Sequence, residues 1–120
     1  MIIGKNSGTT RPADPSDPLS IGELGRELLR RRSKLVFGNR DRLEVAVAIA
    51  RSNDPLVNAT ELTDVLVGWP NNRIRAQLVA LAEADLLRAA PRIGPGKIYY
   101  LRQDSLFWDA CLDLADRWGR

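Results

Sequence analysis

The sequence contains no histidine and one cysteine, Cys111, among its 120 residues. With one thiol and no imidazole, the usual zinc, copper and iron cages cannot be assembled, and no intrachain disulfide can form. The commonest general base is missing as well. There is no Gly-rich phosphate loop, no Gly-x-Ser-x-Gly and no Cys/His pair. The expectation is a protein that is not an enzyme and that uses neither metal nor cofactor. Apolar runs fall far short of the roughly 18 residues that a membrane span requires. The start, Met1-Ile2-Ile3-Gly4-Lys5-Asn6, lacks the apolar run of a secretory signal, so a cytoplasmic location and no membrane partner are expected.

What remains is an ordinary globular composition. Hydrophobic residues make up 44% of the chain, enough for one domain with a modest core. The net charge is only +3, but its distribution is uneven. Basic residues crowd positions 26–42 and 73–102, whereas the end of the chain carries Asp104, Asp109, Asp113 and Asp116. A basic body with an acidic tail suggests an anionic partner for one face and something else for the other.

Residues 1–19 hold Gly4, Gly8, Pro12, Pro15 and Pro18 among small polar residues and read as an N-terminal arm, with the domain proper spanning 20–120. Ser20 and Glu23 have capping-box spacing and open a first helix to about Lys34–Phe37, with Ile21, Leu24, Leu28 and Leu35 at helical intervals. The run Arg30-Arg31-Arg32 reads as its solvated face. After Gly38-Asn39, residues 40–51 form a second helix, apolar around most of its circumference and therefore central. Asn58 and Glu61 cap a short third helix that Gly68 stops. The turn Trp69-Pro70-Asn71-Asn72 launches a fourth helix, held down by Ile74, Leu78 and Leu81 and ending near Ala84. Leu86 to Arg92 and Ile98 to Leu101 flank a Gly94-Pro95-Gly96 turn as a β-hairpin. Asp104-Ser105 then caps a last helix with Phe107, Ala110, Cys111, Leu114 and Trp118 on one stripe. The expected class is mainly α with a small β-hairpin wing.

This order carries a resemblance. Leu62-Thr63-Asp64-Val65-Leu66, Gly68-Trp69, Asn71-Asn72-Arg73-Ile74-Arg75-Ala76-Gln77-Leu78 and Leu81-Ala82-Glu83-Ala84-Asp85-Leu86-Leu87 are similar to the helix-turn-helix of ArsR-type winged-helix regulators. Arg42-Leu43 is placed like the opening of that family's central helix. The resemblance spans about residues 21–118. It implies a winged helix-turn-helix that binds DNA and regulates transcription as a homodimer. Asp85 stands where the family usually has glycine, and aspartate tolerates the left-handed backbone such a turn needs. The family's metal-sensing cysteines and histidines are absent, so metal sensing is not implied.

The fourth helix supports the same reading from its own chemistry. Asn71, Asn72, Arg73, Arg75, Ala76 and Gln77 occupy the positions of its first two turns not taken by the core. Arginine forks onto guanine, Asn and Gln pair with adenine, and an alanine methyl meets the thymine methyl. No acid occurs in this helix before Glu83, which is unusual for a merely solvated face. In the hairpin, Arg92 and Lys97 flank the turn and suit phosphate contacts. Trp69 reads as a core plug and Cys111 as a small hydrophobe. The stripe of the last helix must be buried, either on its own core or against a second subunit. The family resemblance favours the second, giving an interface of Leu24, Leu28, Phe107, Cys111, Leu114 and Trp118. The rival function is a winged-helix module that binds protein rather than duplex DNA.

Overall fold

The computed structural model describes residues 22–91 and 98–118. The elements run α1 (Gly22–Phe37), α2 (Arg42–Arg51), β1 (Leu56–Val57), α3 (Ala59–Leu62), α4 (Asn71–Glu83), β2 (Leu87–Ala89), β3 (Tyr100–Arg102) and α5 (Leu106–Trp118). The N-terminal arm, the Ser20 cap and the hairpin tip with Arg92 and Lys97 lie outside the described residues.

Helix α2 is the centre of the fold, as its all-round apolar sequence requires. Every residue from Leu43 to Ile49 is buried, and α1, α4 and α5 all pack on it. Its start is built by the preceding turn. Gly38 takes a left-handed backbone (φ 78°) and returns its N–H to the Lys34 carbonyl at 2.9 Å, ending α1. The Asn39 side chain accepts from the Asp41 N–H, and the buried Ser33 hydroxyl accepts from the Leu43 N–H at 3.1 Å. A side chain of α1 thus satisfies an orphan donor of α2.

The hairpin is present, with one strand more than expected. β2 and β3 pair antiparallel, Arg88 opposite Leu101, and β1 adds to the other edge of β3, giving the order β1-β3-β2. Leu56-Val57 is too short to carry a visible alternation, so β1 had no signal of its own. Arg102 locks this sheet to α2 by donating to the carbonyls of Ile49 (2.7 Å) and Ser52 (3.2 Å) at the open end of that helix. Asp85 has φ 64°, the left-handed conformation expected where α4 gives way to β2.

Both terminal helices depart from expectation. In α5 the residues buried against α2 are Trp108, Cys111 and Ala115, while Ala110 is exposed and Phe107, Leu114 and Trp118 lie along the edge of the core. The Trp108 indole N–H donates to the Gln103 carbonyl at 2.8 Å, which lets that large ring go under. The apolar stripe is therefore rotated toward Trp108. In α1 the core residue is Leu29, whereas Leu24 is 90% and Leu35 77% exposed.

Candidate functional site

The segment α3–turn–α4 was expected to carry the function, and its geometry follows from local chemistry. Asn58 caps α3 by accepting from the Glu61 N–H at 2.8 Å. The chain then closes through Leu66 N–H to Leu62 carbonyl (2.8 Å) and Trp69 N–H to Leu66 carbonyl (3.1 Å), with Gly68 at φ 86° making the reversal. Pro70 precedes the first turn of α4 with an extended backbone. Ile74, Leu78 and Leu81 pin α4 to the core.

The six sequence-nominated residues of α4 divide into three groups. Asn72, Arg75 and Ala76 point outward and are exposed. Asn71 is half-buried and bridges two neighbours. Its amide donates to the Thr60 hydroxyl at 3.3 Å, and its side-chain oxygen accepts from Arg75 at 2.7 Å. Arg73 and Gln77 are structural anchors. The Arg73 guanidinium makes a bidentate pair with Asp41, at 2.8 and 2.7 Å, and lies 3.7 Å from the centre of the Trp69 ring. Gln77 is 4% exposed and accepts from Arg42 Nε at 2.7 Å. The expectation that Gln77 faces outward is therefore corrected. Position 77 faces α2, and the amide is kept there because Arg42 supplies its partner.

Asp41 sits at the N-cap position of α2 yet makes no capping bond. Its carboxylate is taken by Arg73 instead, and that hydrogen bond holds its pKa below the ordinary value against a smaller opposing effect of burial. Beneath this pair lies Glu44, whose side chain is 1% exposed and which is ion-paired to Arg30 at 2.5 Å and to Arg26 at 3.4 Å. Burial raises the Glu44 pKa, opposed by Arg30 and Arg26. Arg30, read as part of a solvated run, is thus partly inside, and a charged network ties α1, α2 and α4 together. A glutamate within an otherwise apolar helix was the signal for it.

One outward residue was missed. Val79, 44% exposed, continues the column of Asn72 and Ala76 at helical spacing. Arg88 is exposed on β2, and Glu61 and Asp64 are exposed around α3.

The interface residues proposed from the sequence also separate. Cys111 is 1% exposed within its own chain's core, and burial pushes its thiol pKa up to about 12. It is unavailable to a second subunit and is unreactive as a thiolate. Phe107, Leu114 and Trp118 pack partly on the core, Leu28 is half-buried, and Leu24 is open. No group of three or more potential ligands for a metal ion occurs among the described residues. Among the described residues, no helix is long and apolar enough to cross a membrane. Comparison with family models, curated proteins and solved structures returns no match for this chain.

Proposed function

We propose that this chain is a winged helix-turn-helix regulator of transcription that reads duplex DNA through the outward face of α4, with the β2–β3 hairpin as its wing. The observation that carries the reading is the composition of that face. Its first two turns present Asn72, Arg75 and Ala76 to solvent, with no acidic side chain in the helix before Glu83. A guanidinium, an amide and a methyl are the groups that distinguish base pairs in the major groove. The side chains opposite them are locked by Asp41, Trp69 and Arg42, so the helix is presented on a rigid base. The antiparallel pair β2–β3 that follows the helix–turn–helix, with β1 from just before α3 on the other edge of β3, supports the winged arrangement. No enzymatic step, cofactor or metal is part of this proposal, and a cytoplasmic setting agrees with it.

One observation favours the rival, a module that binds protein. Val79 on that helix is 44% exposed, and Val67, in the segment that leads into it, is 62% exposed. Selection of genomic fragments on purified protein at two salt concentrations separates the readings. DNA reading predicts recovery of a common sequence whose retention falls with salt, since phosphate contacts release counterions. Recovery of no sequence preference at either salt, together with unaltered retention by Asn72→Ala, would assign the face to protein.

A further inference from the structure

Asn71 and Asn72 open α4 side by side, and the fold leaves their amides in different states. The Asn72 side chain is exposed and makes no hydrogen bond among the described residues. The Asn71 amide is occupied at both ends. Its oxygen accepts from an Arg75 terminal nitrogen at 2.7 Å, and its nitrogen donates to the Thr60 hydroxyl at 3.3 Å. Chemistry fixes that direction. A guanidinium offers only N–H donors, so the Asn71 atom facing it has to be the oxygen, and the nitrogen is then turned to Thr60. Reading adenine takes both ends of an amide at once, the oxygen for N6 and the nitrogen for N7. Asn71 has neither end free.

What the relay from Thr60 through Asn71 does is hold Arg75. Thr60 stands in the first turn of α3, beside the Asn58 cap, and its carbonyl accepts from the Thr63 hydroxyl. The brace therefore starts on a different helix from the arginine it holds. Asn71 lies one turn before Arg75, so the guanidinium is drawn back toward the N-terminal turn of α4. That is the end of a recognition helix that approaches base edges. A guanidinium has five N–H bonds. One of them meets Asn71, and among the described residues the others have no partner. A planar fork held at one corner keeps an open pair of N–H bonds in a fixed plane, which suits O6 and N7 of guanine. A phosphate can be held by a mobile point charge and has no need of such a brace.

Resting on the reading of α4 as a DNA-facing helix, we infer that Arg75 takes a guanine at O6 and N7, with Asn71 and Thr60 as the positioning residues that aim it. Asn71 itself touches no base.

The test measures anisotropy of the full chain on a duplex selected with wild type, each guanine in turn replaced by 7-deazaguanine, which lacks the N7 acceptor. Wild type loses about three- to tenfold in affinity at the guanine that Arg75 reads. Arg75→Ala binds that substituted duplex and the unsubstituted one alike. Asn71→Ala loses about two- to tenfold on the unsubstituted duplex and most of its sensitivity at that one guanine, while its responses at the other positions are kept. Thr60→Val, nearly the same shape without the hydroxyl, gives the same pattern more weakly. Both variants melt like wild type. Blunted responses at every position would mean that α4 has shifted as a whole, and would overturn the positioning role. A wild type indifferent to every 7-deazaguanine, or Asn71→Ala with full sensitivity, would also overturn the assignment. DNA reading by α4 survives those results if Arg75→Ala or Asn72→Ala narrows the gap between selected and random duplex. If neither does, DNA reading itself fails and the assignment falls with it.

Discussion

Arg73 and Arg75 stand two residues apart on the same helix, in the same basic run, and the fold uses them in opposite ways. Arg73 is clasped by both oxygens of Asp41 and stacked on Trp69, with its charge already matched inside the protein. Arg75 is exposed and, among the described residues, donates to Asn71, a neutral partner on its own helix. One arginine holds α4 to α2, and the other stays on the exposed side of the helix. Basic residue counts say nothing about this division. What decides it is whether an acid lies within reach, and only the folded chain puts Asp41 beside position 73.

The contrast can be broken at several depths. The largest effect is expected beneath the anchored side, at Glu44. Glu44→Ala leaves Arg26 and Arg30 without their buried counter-charge and should cost about 3–5 kcal/mol in urea unfolding. Arg73→Ala comes next. It strands the partly buried Asp41 and removes the stack on Trp69, for a loss of about 1–3 kcal/mol. Arg73→Lys should recover only part of that, because a single ammonium cannot reproduce the two-pronged bond. Arg75→Ala should change stability by no more than about 0.5 kcal/mol, as befits an exposed site. Equal destabilisation by Arg73→Ala and Arg75→Ala would erase the distinction.

Acid provides a finer test of the anchored side. The Asp41 pKa is lowered in the fold, so its contribution is present above the ordinary value of 3.8 and is lost as pH falls through the depressed folded value. Glu44 runs the other way. Its raised pKa means that its relative contribution is greatest below the ordinary value of 4.5 and declines as pH rises through the folded value. Asp41→Asn should therefore be less stable than wild type near neutrality, with the gap closing as pH drops below about 4. A constant gap from pH 7 to pH 2 would mean that the Asp41 charge contributes nothing.

Much of the fold was legible in the sequence because its signals are local. The Asn58 cap, the Gly68 turn, the Ile74–Leu78–Leu81 stripe and the left-handed Asp85 each depend on a few neighbouring residues, and the structure has all of them. The failures share a different cause. Helices α1 and α5 each carry more apolar residues than one face needs, and periodicity cannot say which set meets the core. In α1 the set containing Leu24 and Leu35 is outside and Leu29 is inside. In α5 the sequence stripe through Ala110 loses to Trp108, whose indole found the Gln103 carbonyl. Gln77 was misplaced for a related reason. A glutamine reads as polar surface unless Arg42, 35 positions away, is known to meet it. Strand β1 depends on pairing with β3, a contact across more than forty residues.

The central claim, that the outward face of α4 reads base edges, is tested most directly by fluorescence anisotropy on a selected duplex and a random duplex over a range of salt. Wild type should prefer the selected duplex at every salt. Arg75→Ala and Asn72→Ala should each lose about 1–3 kcal/mol on the selected site and narrow the gap to random duplex. Both should melt like wild type, so the loss cannot be ascribed to unfolding. Unchanged affinity and unchanged preference in both variants would contradict the claim.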